Sequence, residues 1–228
     1  MGSEPLAFPP APGGDPWGDT PLSDLPVVAL DAETGGLDPV RSPLLTIGLA
    51  TWEGLVLEAT VHTEHYMPDA QVLDINGITS ARAASGLPWA LLEGILAEAF
   101  AGRVALAHNA GFDLSFLAAK ATSLELPAAI DTAACSRYLW PNSKADLTSL
   151  CARAKVTNTG AHGAGADATA AAKCWLYLRA ALRNAGIDTW NQLCSAEAQI
   201  PSRFERPAWP EQVAQTLARG GATDGRAS

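Results

Sequence analysis

The sequence predicts an α/β domain built on a mixed central sheet of roughly five strands flanked by helices. Three observations lead there. Strand-like apolar segments follow one another early in the chain with only short turn signals between them. Helical and strand patterns then alternate, and the last third reads as helix after helix.

Residues 1 to 24 are rich in Pro, Gly and Asp without period and are expected to form a disordered leader, with folding beginning near Pro26. Val27 to Glu33 reads as a buried-type strand, Leu44 to Thr51 as a second and Leu55 to Val61 as a third. Gly35, Gly36, Asp38 and Pro39, and then Glu53-Gly54, mark the connections, so these three strands are expected to form an antiparallel meander. Leu87 to Phe100 carries Leu91, Leu92, Ile95, Leu96 and Ala99 at helical spacing and leads into a short strand at Arg103 to Ala107. A helix from Phe112 to about Thr122, a last strand at Ala129 to Asp131, and helices at Thr132 to Leu139, Asp146 to Ala154 and Asp167 to about Asn184 complete the domain, placed at 25 to 185. From 186 to 228 the pattern weakens into a C-terminal extension of unknown role. IDTWNQLCSAEAQ there can form one short amphipathic helix, and the last residues are expected to be disordered.

The 228 residues, 48% of them hydrophobic, can bury one good core. A net charge of −9 excludes a protein that grips nucleic acid by phosphate neutralisation alone, which needs clustered Lys and Arg. Cys135, Cys151, Cys174 and Cys194 are scattered without a CxxC pair, so zinc and a disulfide framework are not expected. No run reaches the roughly 18 apolar residues of a membrane helix, and a cytoplasmic protein without membrane partner is expected.

The chemistry is carried by carboxylates. VVALDAETGGLDP ends a strand in Asp31-x-Glu33, and side chains two apart in a strand project to the same face. Two such acids repel unless a cation sits between them, and hard oxygen donors suit Mg²⁺ or Mn²⁺. HNAGFD places Asp113 in the first turn of a helix directly after a strand, and HGAGAD presents His162 on a glycine loop with Asp167 at a helix start. Each motif alone has a plain structural reading as a solvated turn, an acid complementing a helix dipole or a structural histidine. Together they place acids at strand ends and helix starts, from which side chains converge above a sheet edge.

This ordered set resembles the DEDDh branch of the DnaQ-like 3′ to 5′ exonucleases, in the RNase H-like superfamily, with a three-layer fold. Ribonuclease T, oligoribonuclease and the proofreading subunit of bacterial replicative polymerase are kin. The matching residues are Asp31 and Glu33 in DAETGGLD, Asp113 in HNAGFD, and His162 with Asp167 in HGAGAD; DINGITS and IDTAACSRYLWP also look like family segments. The resemblance covers about residues 26 to 180. It implies that Asp31, Glu33 and Asp167 hold one divalent cation and that Asp31 and Asp113 hold a second, about 4 Å away, with His162 as general base. It also implies substrate contacts from backbone near Thr34, from Leu37 as a wedge against the last base, and from Asn109 and Phe112. For Leu37 and Phe112 core packing is the other reading.

The substrate implied is a nucleic acid 3′ end, single-stranded DNA before RNA, with a DNA polymerase as a possible partner. RNA trimming and a catalytically idle end-binding domain stand as alternatives. Two departures are visible: Thr34 is followed by Gly35 where proofreading subunits commonly carry a second threonine, and Asn76 stands where a histidine is common. A stand-alone exonuclease is therefore as well founded as a proofreader. Trp52, Trp89, Trp140 and Trp175 read mostly as core, Trp140 with the option of stacking on a base, and His62 and His65 as surface residues.

Overall fold

In the computed structural model, which describes residues 17–197, strand β1 (Val27–Thr34) runs through the middle of the sheet, and its first half, Val27 to Leu30, is apolar on both faces. The sheet has the order β3-β2-β1-β4-β5, with β2 (Leu44–Thr51), β3 (Gly54–Thr60), β4 (Val104–Ala107) and β5 (Ala129–Asp131). β1, β2 and β3 form the expected antiparallel meander, and β4 and β5 lie parallel to β1. The mixed five-stranded sheet is thus as the sequence predicts.

Eight helices are found among the described residues: α1 (Ala70–Asn76), α2 (Ser80–Ala84), α3 (Trp89–Phe100), α4 (Ala110–Lys120), α5 (Thr132–Leu139), α6 (Leu147–Ala154), α7 (Ala164–Asn184) and α8 (Trp190–Glu197). Strand alternation divides the core between them. Val28, Leu30 and Ala32 of β1 pack with Leu92 and Leu96 of α3 and Leu114, Phe116 and Leu117 of α4. Ala29 faces the other way, into a cluster with Ala168, Ala171, Trp175 and Leu178 of α7. This gives the three layers expected.

Several boundaries differ from expectation. α1 and α2 are absent from the sequence reading, although their caps are orthodox. Asp69 accepts from Val72 N at 2.8 Å, Gly77 closes α1 at φ 65°, and Thr79 accepts from Arg82 N at 3.2 Å. α4 starts at Ala110 and α7 at Ala164, ahead of the expected Phe112 and Asp167, because Asn109 and Gly163 cap them without a side-chain hydrogen bond to read.

Residues 17–24, expected to belong to a disordered leader, are instead packed on the domain. Leu22 is 1% exposed, Leu22 N donates to Asp188 O at 2.8 Å, and Trp190 N donates to Thr20 O at 3.0 Å. The extension expected from 186 also joins the core through Ile187, Trp190, Leu193 and Ala196 of the same cluster. Burying a leucine or isoleucine stabilises by roughly 1.5–3 kcal/mol, so each segment supplies the apolar partner the other lacks. Residues 1–16 and 198–228 of the leader and extension lie outside the described residues. Trp52, read as core, is 62% exposed at the β2–β3 turn. Among the described residues no helix is long and apolar enough to cross a membrane.

Candidate active site

The site forms where β1 outruns its parallel neighbour. β1 pairs with β4 only from Val27 to Ala29, whereas on its other edge it stays paired with β2 as far as Thr34. Backbone N–H groups on the abandoned edge need another acceptor. Asp113, in the first turn of α4 and 3% exposed, supplies it: Ala32 N donates to Asp113 Oδ1 at 2.9 Å. Asp31 and Glu33 project on the face that carries α7, and Asp167 comes down from the first turn of that helix. Asp31, Glu33 and Asp167 each offer a carboxylate oxygen, and all three oxygens lie within 4.8 Å of one another. Asp113 is not in that group but adjoins it, raising the carboxyl pKa of Asp31 by its charge.

Helix α7 comes this close because nothing stands under it. Gly48 is the β2 partner of Asp31, and a Cβ there would overlap the Ala164 carbonyl and fall 2.6 Å from Gly165 N. Gly165 is confined in the same way, its Cβ position lying 2.9 Å from Leu55 Cδ1 of β3. Small residues on both surfaces let the helix backbone rest on the sheet.

The electrostatics are those of a site built for cations. Burial first, then the charges of Asp113, Asp167 and Glu33, pushes Asp31 well above the usual carboxylate range. Glu33 is raised to about 7 by burial and then by Asp167 and Glu58. Asp113 is raised by burial although the Ala32 N–H works against it. Among the described residues no Lys or Arg forms an ion pair with any of the four. Hard oxygen donors held together against their own repulsion fit Mg²⁺ or Mn²⁺, and four carboxylates match the charge of two such ions.

The other expected residues are placed variously. His162 is exposed at φ 67°, and its backbone N, not its ring, is what the structure ties to the site, donating to Asp167 Oδ2 at 3.1 Å. Thr34 Oγ1 donates to Gly36 O at 2.7 Å, and its carbonyl accepts from Asn76 Nδ2 at 3.3 Å. Leu37 is 84% exposed, which removes the core-packing reading. Asn109 stands exposed at φ 77°, its N–H on Asp131 Oδ1 at 3.0 Å. Phe112 is half-buried against the core and 5.0 Å from Phe116, so packing is part of its role.

Trp140 is stacked on Tyr177, and the Arg153 guanidinium lies over its ring, so packing within the domain engages it. Sequence reasoning missed Gly48, Glu58 and Asn158, the last of which donates to Asp167 Oδ1. Gly48 inside an apolar strand was the one visible signal, since an isolated glycine there marks a close approach.

An Asp-x-Glu strand with two helix-borne aspartates on an RNase H-like sheet defines the class: a DnaQ-like 3′ to 5′ exonuclease. The comparisons agree. Residues 28–175 match the RNase_T exonuclease family, and the chain belongs to it. DNA polymerase III subunit epsilon of Rickettsia felis is 32% identical over 173 residues, an alignment spanning 69% of this chain and 75% of that protein. DNA polymerase III PolC-type of Streptococcus suis is 30% identical over 187 residues, 77% of this chain but 13% of that protein. Among solved structures, E. coli exonuclease I in complex with a dT13 oligonucleotide aligns with a TM-score of 0.57 at 16% identity, over 70% of this chain and 42% of that one. Exonuclease X in complex with 5′ overhanging duplex DNA aligns with a TM-score of 0.53 at 20% identity, over 75% of this chain and 99% of that one. The chain thus spans less than half of exonuclease I.

Proposed function

We propose that this chain removes nucleotides from single-stranded or frayed 3′ ends of DNA as nucleoside 5′-monophosphates. The observation that carries the reading is the meeting of Asp31, Glu33 and Asp167 within 4.8 Å with Asp113 alongside. Asp31, Glu33 and Asp167 would hold one divalent cation, and Asp31 with Asp113 the second. When bound, such ions lower the pKa of an attacking water and stabilise the leaving 3′ oxygen.

His162, on its loop beside Asp167, takes the proton of the attacking water as general base. In the same reading the Thr34 backbone and the exposed Leu37 meet the terminal sugar and base, and Asn109 and Phe112 supply further substrate contacts. DNA before RNA, and a DNA polymerase as partner, follow the relatives' names, two of which are DNA polymerase III proteins. The test is incubation with 3′-labelled single-stranded DNA, RNA and mismatched duplex in Mg²⁺ or Mn²⁺, and again with EDTA. Release of labelled mononucleotide from DNA, abolished by EDTA, is expected. Faster release from RNA would turn the reading to an exoribonuclease.

A further inference from the structure

Both oxygens of Asp167 are held by the loop that leads into α7. Asn158 Nδ2 donates to Oδ1 at 2.5 Å, and His162 N donates to Oδ2 at 3.1 Å. The loop is closed on itself by Gly163 N to Gly160 O at 3.0 Å and Asp167 N to Gly163 O at 3.0 Å. Gly160 packs against Ala166, where a Cβ would come within 2.9 Å of that methyl. His162 is held in a left-handed backbone, φ 67°, a strained conformation for a residue other than glycine. Asn158 is half-buried, and a loop asparagine usually bonds its own neighbours; here its acceptor does so weakly, with Gly160 N at 3.4 Å, while its donor crosses to a carboxylate nine residues on.

The chemistry explains the choice of residue. An aspartate beside Asp31 and Glu33 lowers its energy by swinging its carboxylate away from theirs. A Lys or Arg donor would prevent that, but its charge would compete with a bound cation. A neutral amide restrains the carboxylate and leaves the negative charge of the site intact.

We propose that Asn158 is a positioning residue: its amide fixes the Asp167 carboxylate for the metal and, through it, fastens the strained loop that carries His162. This rests on Asp167 being a metal ligand.

The test is Mn²⁺ binding by calorimetry on the full chain without substrate, for Asn158→Leu, Asp167→Asn and the double variant, with the melting temperature of each in EDTA. Asn158→Leu keeps the branched four-atom skeleton and removes both polar atoms. It is expected to weaken Mn²⁺ binding by about 10- to 100-fold, the usual effect of removing an outer hydrogen bond to a ligand. The metal-free melting temperature is expected to stay near wild type, and turnover to recover in part at high Mn²⁺. In the Asp167→Asn background the substitution is expected to add nothing, because its route to the metal is gone. Asn158→Ser serves the same comparison if the leucine variant does not fold.

Wild-type Mn²⁺ affinity in Asn158→Leu, with or without a lower melting temperature, overturns the proposal, and so does an undiminished effect in the double variant. If Asp167→Asn itself binds Mn²⁺ like wild type, the ligand assignment falls, and this proposal with it.

Discussion

Gly48 of β2 lies directly beneath the Ala164 carbonyl of α7, and the two backbones meet with no side chain between them. The spacing between the carboxylates of strand and helix is therefore set by one contact. Gly48→Ala must lift or tilt the first turn of α7, and Asp167 moves with it. Overpacking of this kind costs typically 1–3 kcal/mol, about the size expected here, and a shift near 1 Å at a reacting centre costs about 10²-fold in rate. A lowered urea midpoint with at least that loss of turnover is expected. Wild-type turnover would show that the close approach does not set the site.

Asp31→Asn is expected to abolish nearly all turnover while raising the melting temperature of the metal-free protein. The substitution deletes a proposed ligand but also removes the most crowded charge, one disfavoured by burial and by Asp113, Asp167 and Glu33. Differential scanning calorimetry in EDTA gives the sign. A clear fall in melting temperature would mean that Asp31 is held by favourable contacts rather than against repulsion.

Glu33 contributes to the pH dependence of the metal-free fold, alongside Asp31 and Asp113, which are raised in the same direction. Its carboxyl is raised from 4.5 to about 7, so the folded chain retains a proton there that the unfolded chain has released. That contribution to stability is complete below about pH 4.5 and is lost as pH rises through about 7. A bound cation displaces the proton and reverses the trend. The gain in melting temperature on adding Mn²⁺ is therefore expected to grow between pH 5 and 7.5, and Glu33→Gln to flatten it. A gain independent of pH in the wild type contradicts the assignment.

Glu93 of α3 shows the opposite sign. Its carboxylate accepts from Thr122 N and Oγ1 at 2.6 Å, Ser123 N at 2.9 Å and Leu124 N at 3.0 Å, and these bonds lower its pKa to about 2. Its contribution is present above the ordinary value of 4.5 and is lost as pH falls toward 2. Glu93→Ala orphans three backbone donors at the end of α4 and is expected to cost about 2–4 kcal/mol, with turnover per folded molecule unchanged. Urea unfolding at pH 7 and pH 3 should show the deficit shrinking at the lower pH.

The sheet and the carboxylate motifs were legible because they are local. Apolar runs with turn residues between them fix β1, β2 and β3, and Asp-x-Glu declares its shared face by strand geometry alone. Asn158 was not legible, since an asparagine in a loop acquires its meaning only when α7 arrives, and Gly48 in its strand signalled a close approach without saying to what. Leu37 shows a further limit: a lone leucine after a turn reads equally as core or as surface until its exposure is known. The helices α1 and α2 were readable from Asp69, Gly77 and Thr79, but they bury almost nothing of their own, and so lack the apolar stripe that announces a helix.

The packing of residues 17–25 against α8 is the case where sequence reading put the boundary in the wrong place, and it carries the last prediction. Leu22 and Leu25 are 1% and 5% exposed within one cluster that includes Ile187, Trp190 and Leu193, and Arg179 Nη1 donates to Ser23 O at 3.1 Å. None of these residues touches the carboxylate cluster, which lies at the β1 end of α7, whereas Arg179 is near the other end of that helix. Leu22→Ala leaves a cavity and is expected to cost about 2–4 kcal/mol. Removal of residues 1–25 is expected to cost more, because it strips the partner from α8 as well. Turnover per folded molecule on single-stranded DNA is expected to hold in both at 20 °C, with the melting temperature falling in that order. A Leu22→Ala variant that melts like wild type but loses turnover would place this segment at the substrate instead of in the core.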